Sequence, residues 1–107
     1  MRVLLDECLP GRKLKPAFAD HDVWTVAEMG WRGVKNGALL ARTEPAFDAF
    51  VTVDRSLRYQ QNVPGRTLLI VVLRAPSNRL EHLLPLLAVA NEALRTGRAG
   101  TVVEVGA

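Results

Sequence analysis

The sequence predicts an α/β protein, a three-layer sandwich around a mostly parallel central sheet of four or five strands, built as a single domain over residues 1–107. Three observations predict it. Apolar, β-branched segments alternate with helical segments along the chain, which is the pattern of a parallel sheet with crossover helices. One segment, Leu68 to Leu73 (LLIVVL), is apolar throughout, as a parallel strand covered on both faces must be. A chain of 107 residues is long enough for one core and too short for two.

The elements follow in order. Residues 2–5 form a first strand that stops at two adjacent carboxylates, Asp6 and Glu7. Pro10 opens a helix expected over 10–19, with Leu14 and Phe18 on one face at i,i+4 spacing. Asp22 to Val26 (DVWTV) is β-branched and aromatic, hence a second strand. GWRGVKNG is a loop carrying glycines at 30, 33 and 37, and Asn36 is the expected N-cap of a helix over 37–42. Ala49 to Val53 (AFVTV) makes a third strand, which again stops at a carboxylate, Asp54. Residues 56–59 read as a short helical turn and QNVPGR as a turn-rich connection to LLIVVL, the fourth strand. Ser77 or Asn78 is expected to cap a long helix reaching Arg95, kinked or restarted at Pro85. Thr101 to Val105 closes the chain as a strand, parallel or paired antiparallel at an edge. With right-handed crossovers, the simplest sheet has the order 2-1-3-4-5.

Composition narrows the class. A hydrophobic fraction of 49% with 23% charged residues is that of an ordinary globular protein. No apolar run approaches the ~18 residues of a membrane span. The carboxylates at 6 and 7 interrupt the opening apolar run too early for a secretory signal, so no membrane partner and a cytoplasmic location are expected. The one cysteine, Cys8, excludes an internal disulfide and a cysteine-based metal cluster, and reads as a half-buried structural thiol. A net charge of +3 permits nucleic-acid binding without requiring it.

Two like charges at the tip of a buried strand cost free energy unless a cation, a proton or a basic partner stands between them. In open α/β sheets, ligands bind beyond the carboxyl ends of the strands where the winding reverses, here between strands one and three. Asp6 and Asp54 end those two strands, which lie ~4.8 Å apart when paired, close enough to share one ion. Carboxylates without histidine or thiolate suit a hard cation, Mg²⁺ or Mn²⁺. A strand can end in an acid merely because its loop is solvated; two such ends on neighbouring strands favour a site, with Asp6, Glu7 and Asp54 as the expected metal ligands and Asp6 and Asp54 as the catalytic pair. Lys35, Asn36, Arg55 and Arg74 fall at the same edge and are expected to bind substrate, the arginines by orienting phosphate oxygens. Such an ion polarises a phosphodiester and activates water.

The segments DECLP at 6–10 and TVDRSL at 52–57 resemble the PIN-domain superfamily of Mg²⁺-dependent ribonucleases, and most closely the small PIN-like proteins of unassigned function often encoded in bacterial toxin–antitoxin pairs. WRGVKNG, YQQN at 59–62 and RAPSNRL at 74–80 extend the resemblance over nearly the whole chain. It implies a PIN-like fold, endoribonuclease activity with Mg²⁺ or Mn²⁺, an RNA substrate and an antitoxin partner. It also implies metal carboxylates at Asp6, Glu7 and Asp54. Where many relatives place an acid at the start of the helix after strand two, this chain has Lys35-Asn36-Gly37.

Two alternatives belong to other classes. A PIN-like shell without chemistry would only dock a partner. A phosphoacceptor receiver domain shares the paired acids and the sheet order, but needs a hydroxyl residue after strand four and a lysine after strand five, where this chain has Arg74 and Gly106. Trp24 is expected in the core, Trp31 packed over the end of the sheet, and His21 at the surface. Residues 77–95 (SNRLEHLLPLLAVANEALR) hold more apolar side chains than one stripe requires, so part of that face is expected to pack against a second chain, as a homodimer or against an antitoxin.

Overall fold

The structure, a computed structural model, describes residues 1–18, 20–54 and 67–106. Arg55, the helical turn expected at 56–59 and the QNVPGR connection lie outside the described residues. Among those described, β1 (Arg2–Leu5), β2 (Asp22–Thr25), β3 (Ala49–Thr52), β4 (Leu69–Leu73) and β5 (Val102–Val105) form one sheet in the order β2-β1-β3-β4-β5. Every pairing is parallel, that of β5 included.

Side chains alternate between the faces of a strand, and the core divides accordingly. Val3, Leu5, Ala49, Val51, Leu69, Val71 and Leu73 face one layer. Leu4, Phe50, Ile70 and Val72 face the other. The first layer is covered by α1 (Gly11–Leu14) with the 3₁₀ turn that continues it (Lys15–Phe18), and by α3 (Leu80–Leu83) and α4 (Leu87–Thr96). The second is covered by α2 (Asn36–Thr43), through Leu39 and Leu40. The three-layer sandwich follows from that division.

The positions of the helices fix the hands of the crossovers. The β1–β2 connection moves one way across the sheet over the first layer, and the β2–β3 connection moves back over the second, so the two share one hand. The β4–β5 connection runs in the same direction as β2–β3, yet α3 and α4 lie on the face of α1. Its hand is therefore opposite to that of the other two, a departure from the uniform right-handedness expected of such units. Asn91 secures the arrangement: its Nδ2 donates to the carbonyl of Ala17 at 2.9 Å, tying α4 to the turn after α1.

Three helices differ from their expected form. The helix expected over 10–19 is α-helical for one turn only and tightens to 3₁₀ at Lys15, because Pro16 lacks the N–H that an α-helical ladder requires there. Asn36 is the first helical residue of α2 and Lys35 its extended N-cap, so the helix starts one residue early and has no side-chain cap. The long helix starts after Arg79, with Ser77 accepting the Arg79 N–H at 3.1 Å from outside it, and breaks at Pro85 through a 3₁₀ turn (Leu84–Leu86). That break lets both halves face the sheet. Leu83, Leu87, Ala90 and Leu94 are buried, each leucine worth about 1.5–3 kcal/mol of apolar transfer. The apolar excess expected on this helix shrinks to Leu84 and Val89, which are 49% and 59% exposed.

Candidate functional site at the strand tips

The backbone ladder runs one residue past β1 on both sides. Asp6 N–H donates to Val51 O at 3.0 Å and Val26 N–H donates to Leu5 O at 3.2 Å. Asp6 is thereby held between the tips of β2 and β3 with only 9% exposure. A carboxylate so buried must be hydrogen-bonded, and it is. Oδ1 accepts the N–H of Glu7 at 2.8 Å, and Oδ2 accepts the hydroxyl of Thr52 at 2.7 Å and the thiol of Cys8 at 3.4 Å. The same Thr52 oxygen accepts the N–H of Asp54 at 3.0 Å. Thr52, fully buried at the end of β3, thus joins the two aspartates through one hydroxyl. The residue lies inside the TVDRSL segment, and its one signal in the sequence is a hydroxyl near the end of the otherwise apolar AFVTV.

Glu7 turns the other way. Its Oε1 accepts the N–H of Gly33 at 3.1 Å, across to the loop between β2 and α2. Gly33 has φ +78°, the left-handed region that glycine reaches without strain, and this orients its N–H toward β1. Among the described residues, no three of His, Cys, Asp and Glu gather closely enough to hold a metal ion.

Cys8 is half-buried beside this network, its Sγ 3.7 Å from the Thr52 hydroxyl. Burial, reinforced by the neighbouring Asp6 charge, pushes its thiol up to about 11, so it stays protonated and unreactive at neutral pH. The structural reading of this cysteine stands. Its carbonyl accepts from Asn78 Nδ2 at 2.8 Å, which pins the β1 tip to the loop after β4 across 70 residues of sequence.

A cleft of about 720 Å³ opens on the β2 side of Asp6, away from Asp54. Asp6 and Glu7 form one wall, and Arg12, Lys15, Glu28 and Arg32 complete its charged lining. Glu28 is committed to its surroundings: its carboxylate accepts from Lys15 Nζ at 3.0 Å and from Thr25 N–H at 3.0 Å, while its own N–H donates to Thr25 Oγ1 at 3.1 Å. The Lys15 contact holds the Glu28 carboxyl below its ordinary range. α1 approaches the end of β2 closely because residue 11 is glycine; a Cβ there would lie 2.5 Å from Thr25 Cγ2.

Of the expected phosphate-binding residues, Lys35 and Arg74 do not line this cleft, and Arg55 lies outside the described residues. Lys35 is exposed at the start of α2, and Arg74 follows the end of β4, its backbone N–H donating to Val105 O at 2.7 Å and its Nε buried without a partner among the described residues. Asn36 opens α2 one residue further on. Arg12 and Arg32 do line the cleft, and Arg32 is a residue for which the sequence carries no signal: short range gives no hint that the turn after β2 returns to the tip of β1. Trp31, expected over the end of the sheet, is half-buried against the second core layer, edge-on to Phe47 with centroids 6.3 Å apart. Trp24 is only half-buried, its Nε1 donating to Asp22 Oδ1 at 2.9 Å. No family model, curated protein or solved structure matches this chain.

Proposed function

We propose that this chain is a PIN-like ribonuclease dependent on Mg²⁺ or Mn²⁺, acting in the cytoplasm as the toxin of a toxin–antitoxin pair. One observation carries the reading: the Thr52 hydroxyl at the end of β3 donates to the buried Asp6 carboxylate and accepts the backbone N–H of Asp54, which fixes both aspartates beyond the tips of the adjacent strands β1 and β3. The donor set fits a hard cation, since Mg²⁺ takes one or two carboxylates and keeps several waters. Asp6 and Asp54 would hold it; Glu7 would join only by releasing the Gly33 amide. When bound, such a cation polarises a phosphoryl oxygen and lowers the pKa of its water. The chain's own contribution is preorganisation. Thr52 and the Glu7 amide fix the Asp6 carboxylate before any ligand arrives, and Asn78 holds the loop that follows it.

Self-association, or docking of an antitoxin, would use the apolar remnant of the long helix, Leu84 and Val89. Among the described residues no helix is long and apolar enough to cross a membrane. A second reading, a PIN-like shell that binds RNA without cutting it, is favoured by the absence of a third converging acid among the described residues. The receiver alternative gains nothing, because β4 ends in Leu73 and is followed by Arg74.

The test is incubation of purified protein and an Asp6→Ala variant with single-stranded and structured RNA in Mg²⁺ or Mn²⁺. The wild type is expected to cleave and the variant not to. Equal cleavage by both would identify a contaminant and defeat the proposal, and binding without cleavage would establish the second reading.

A further inference from the structure

The cleft on the β2 side of Asp6 holds charge that the aspartate pair does not use. Arg12 and Arg32 both line it, both are exposed, and neither has an ion-pair or hydrogen-bond partner among the described residues. The third cation, Lys15, is already held by Glu28 at 3.0 Å. The two guanidinium groups come from separate segments: Arg12 from α1 and Arg32 from the loop between β2 and α2. That loop is fastened to the tip of β1 by the Gly33–Glu7 hydrogen bond, one residue from Arg32.

Each of these guanidinium groups presents a planar fork of N–H donors that matches phosphate oxygens. The wall formed by Asp6 and Glu7 repels a compact anion such as free phosphate or a carboxylate. A ligand satisfying both ends must spread its charge, with one anionic group beside the carboxylates by way of a cation and the next beside the arginines. A nucleic-acid strand has that spacing of charge, and the volume lies within the roughly 300–1,000 Å³ of small-ligand clefts.

We propose that Arg12 and Arg32 form a clamp for the phosphate next to the scissile one, and that Glu7 is a positioning residue that holds the Arg32 loop in place. The inference rests on the nuclease reading for its ligand. It goes further in routing the strand over the β1–β2 side of the site and in giving Glu7 work outside the metal sphere.

The experiment measures fluorescence anisotropy of a short labelled RNA in EDTA, where metal-dependent hydrolysis cannot proceed. Arg12→Ala and Arg32→Ala should each weaken binding about tenfold, and the double variant should flatten the salt dependence by about 1.4 in log–log slope, as for two single-strand phosphate contacts. Arg98→Ala, an exposed arginine after α4, should bind as wild type does. Glu7→Ala should behave like Arg32→Ala, while Glu7→Gln, which keeps an oxygen to accept the Gly33 N–H, should retain binding. Unchanged affinity in both arginine variants would overturn the clamp, and a Glu7→Gln as weak as Glu7→Ala would overturn the positioning role. Clamped binding in EDTA with no cleavage once Mn²⁺ is supplied defeats the nuclease reading alone, whereas cleavage with no arginine effect defeats the clamp alone.

Discussion

Replacing Thr52 by valine tests how far one hydroxyl organises the strand tips. The side chain is fully buried and the substitution keeps its shape, so the change is confined to the hydroxyl. Two hydrogen bonds are lost: the 2.7 Å donation to Asp6 Oδ2 and the 3.0 Å acceptance from Asp54 N–H. A hydrogen bond to a charged group contributes about 1.5–3 kcal/mol, and a buried carboxylate that loses a donor is penalised rather than merely relaxed. The Cys8 thiol at 3.4 Å remains as a weak donor to the same oxygen and offsets part of the loss. A net destabilisation of about 2–4 kcal/mol is expected, which in a domain of this size lowers Tm by about 10–20 °C. Thr52→Ser is the control: it keeps the hydroxyl and removes one methyl, at about 1 kcal/mol. Thermal unfolding by circular dichroism at neutral pH reads both. A Thr52→Val protein melting at or above Thr52→Ser would refute the claim that Asp6 depends on this hydroxyl.

Cys8 should be inert in the native state. With its thiol pushed from 9.0 up to about 11, alkylation by iodoacetamide at pH 8 should run about 100-fold slower than in denaturant, where the thiolate forms freely. Because the folded value lies above the unfolded one, the stability linked to Cys8 is complete below pH 9 and is lost as pH rises from 9 toward 11; Cys8→Ala should show less alkaline destabilisation. Gly11→Ala should cost about 1–3 kcal/mol through its 2.5 Å clash with Thr25 Cγ2, and Thr25→Ser, which lacks that methyl, should recover much of it in a denaturant titration. On the long helix, Leu87→Glu should unfold the protein, since Leu87 is 5% exposed, whereas Val89→Glu should fold normally and shift any dimer to monomer by light scattering.

Much of the fold was legible because it rests on local periodicity. LLIVVL has the unbroken apolar run of a doubly covered strand, and the acids after RVLL and AFVTV mark the strand ends to within a residue. The helices were less legible where proline intervenes. Pro16 converts the second half of the first helix to 3₁₀, and Pro85 lets one apolar helix face the sheet twice, which cancels most of the apparent surplus. Crossover hand depends on which face a helix chooses, and nothing local distinguished the face of α4 from that of α2. The site was half legible for the same reason. Asp6 and Asp54 are visible as strand ends, but Thr52 between them, Asn78 on the Cys8 carbonyl and Gly33 on Glu7 are contacts across 46, 70 and 26 residues. Such pairings exist only after the sheet has assembled.

The central claim is that the tips of β1 and β3 hold a divalent cation between Asp6 and Asp54. A titration of Mn²⁺ against the thermal unfolding of wild type, Asp6→Asn and Asp54→Asn tests it without requiring a substrate. Binding to the native state alone stabilises by about 2.7 kcal/mol at a hundredfold excess over Kd, so wild-type Tm should climb by about 10 °C at that excess and go on rising with the logarithm of the Mn²⁺ concentration. Both variants should ignore the metal. A wild type that does not respond to millimolar Mn²⁺, or an Asp54→Asn that responds as strongly, would contradict it.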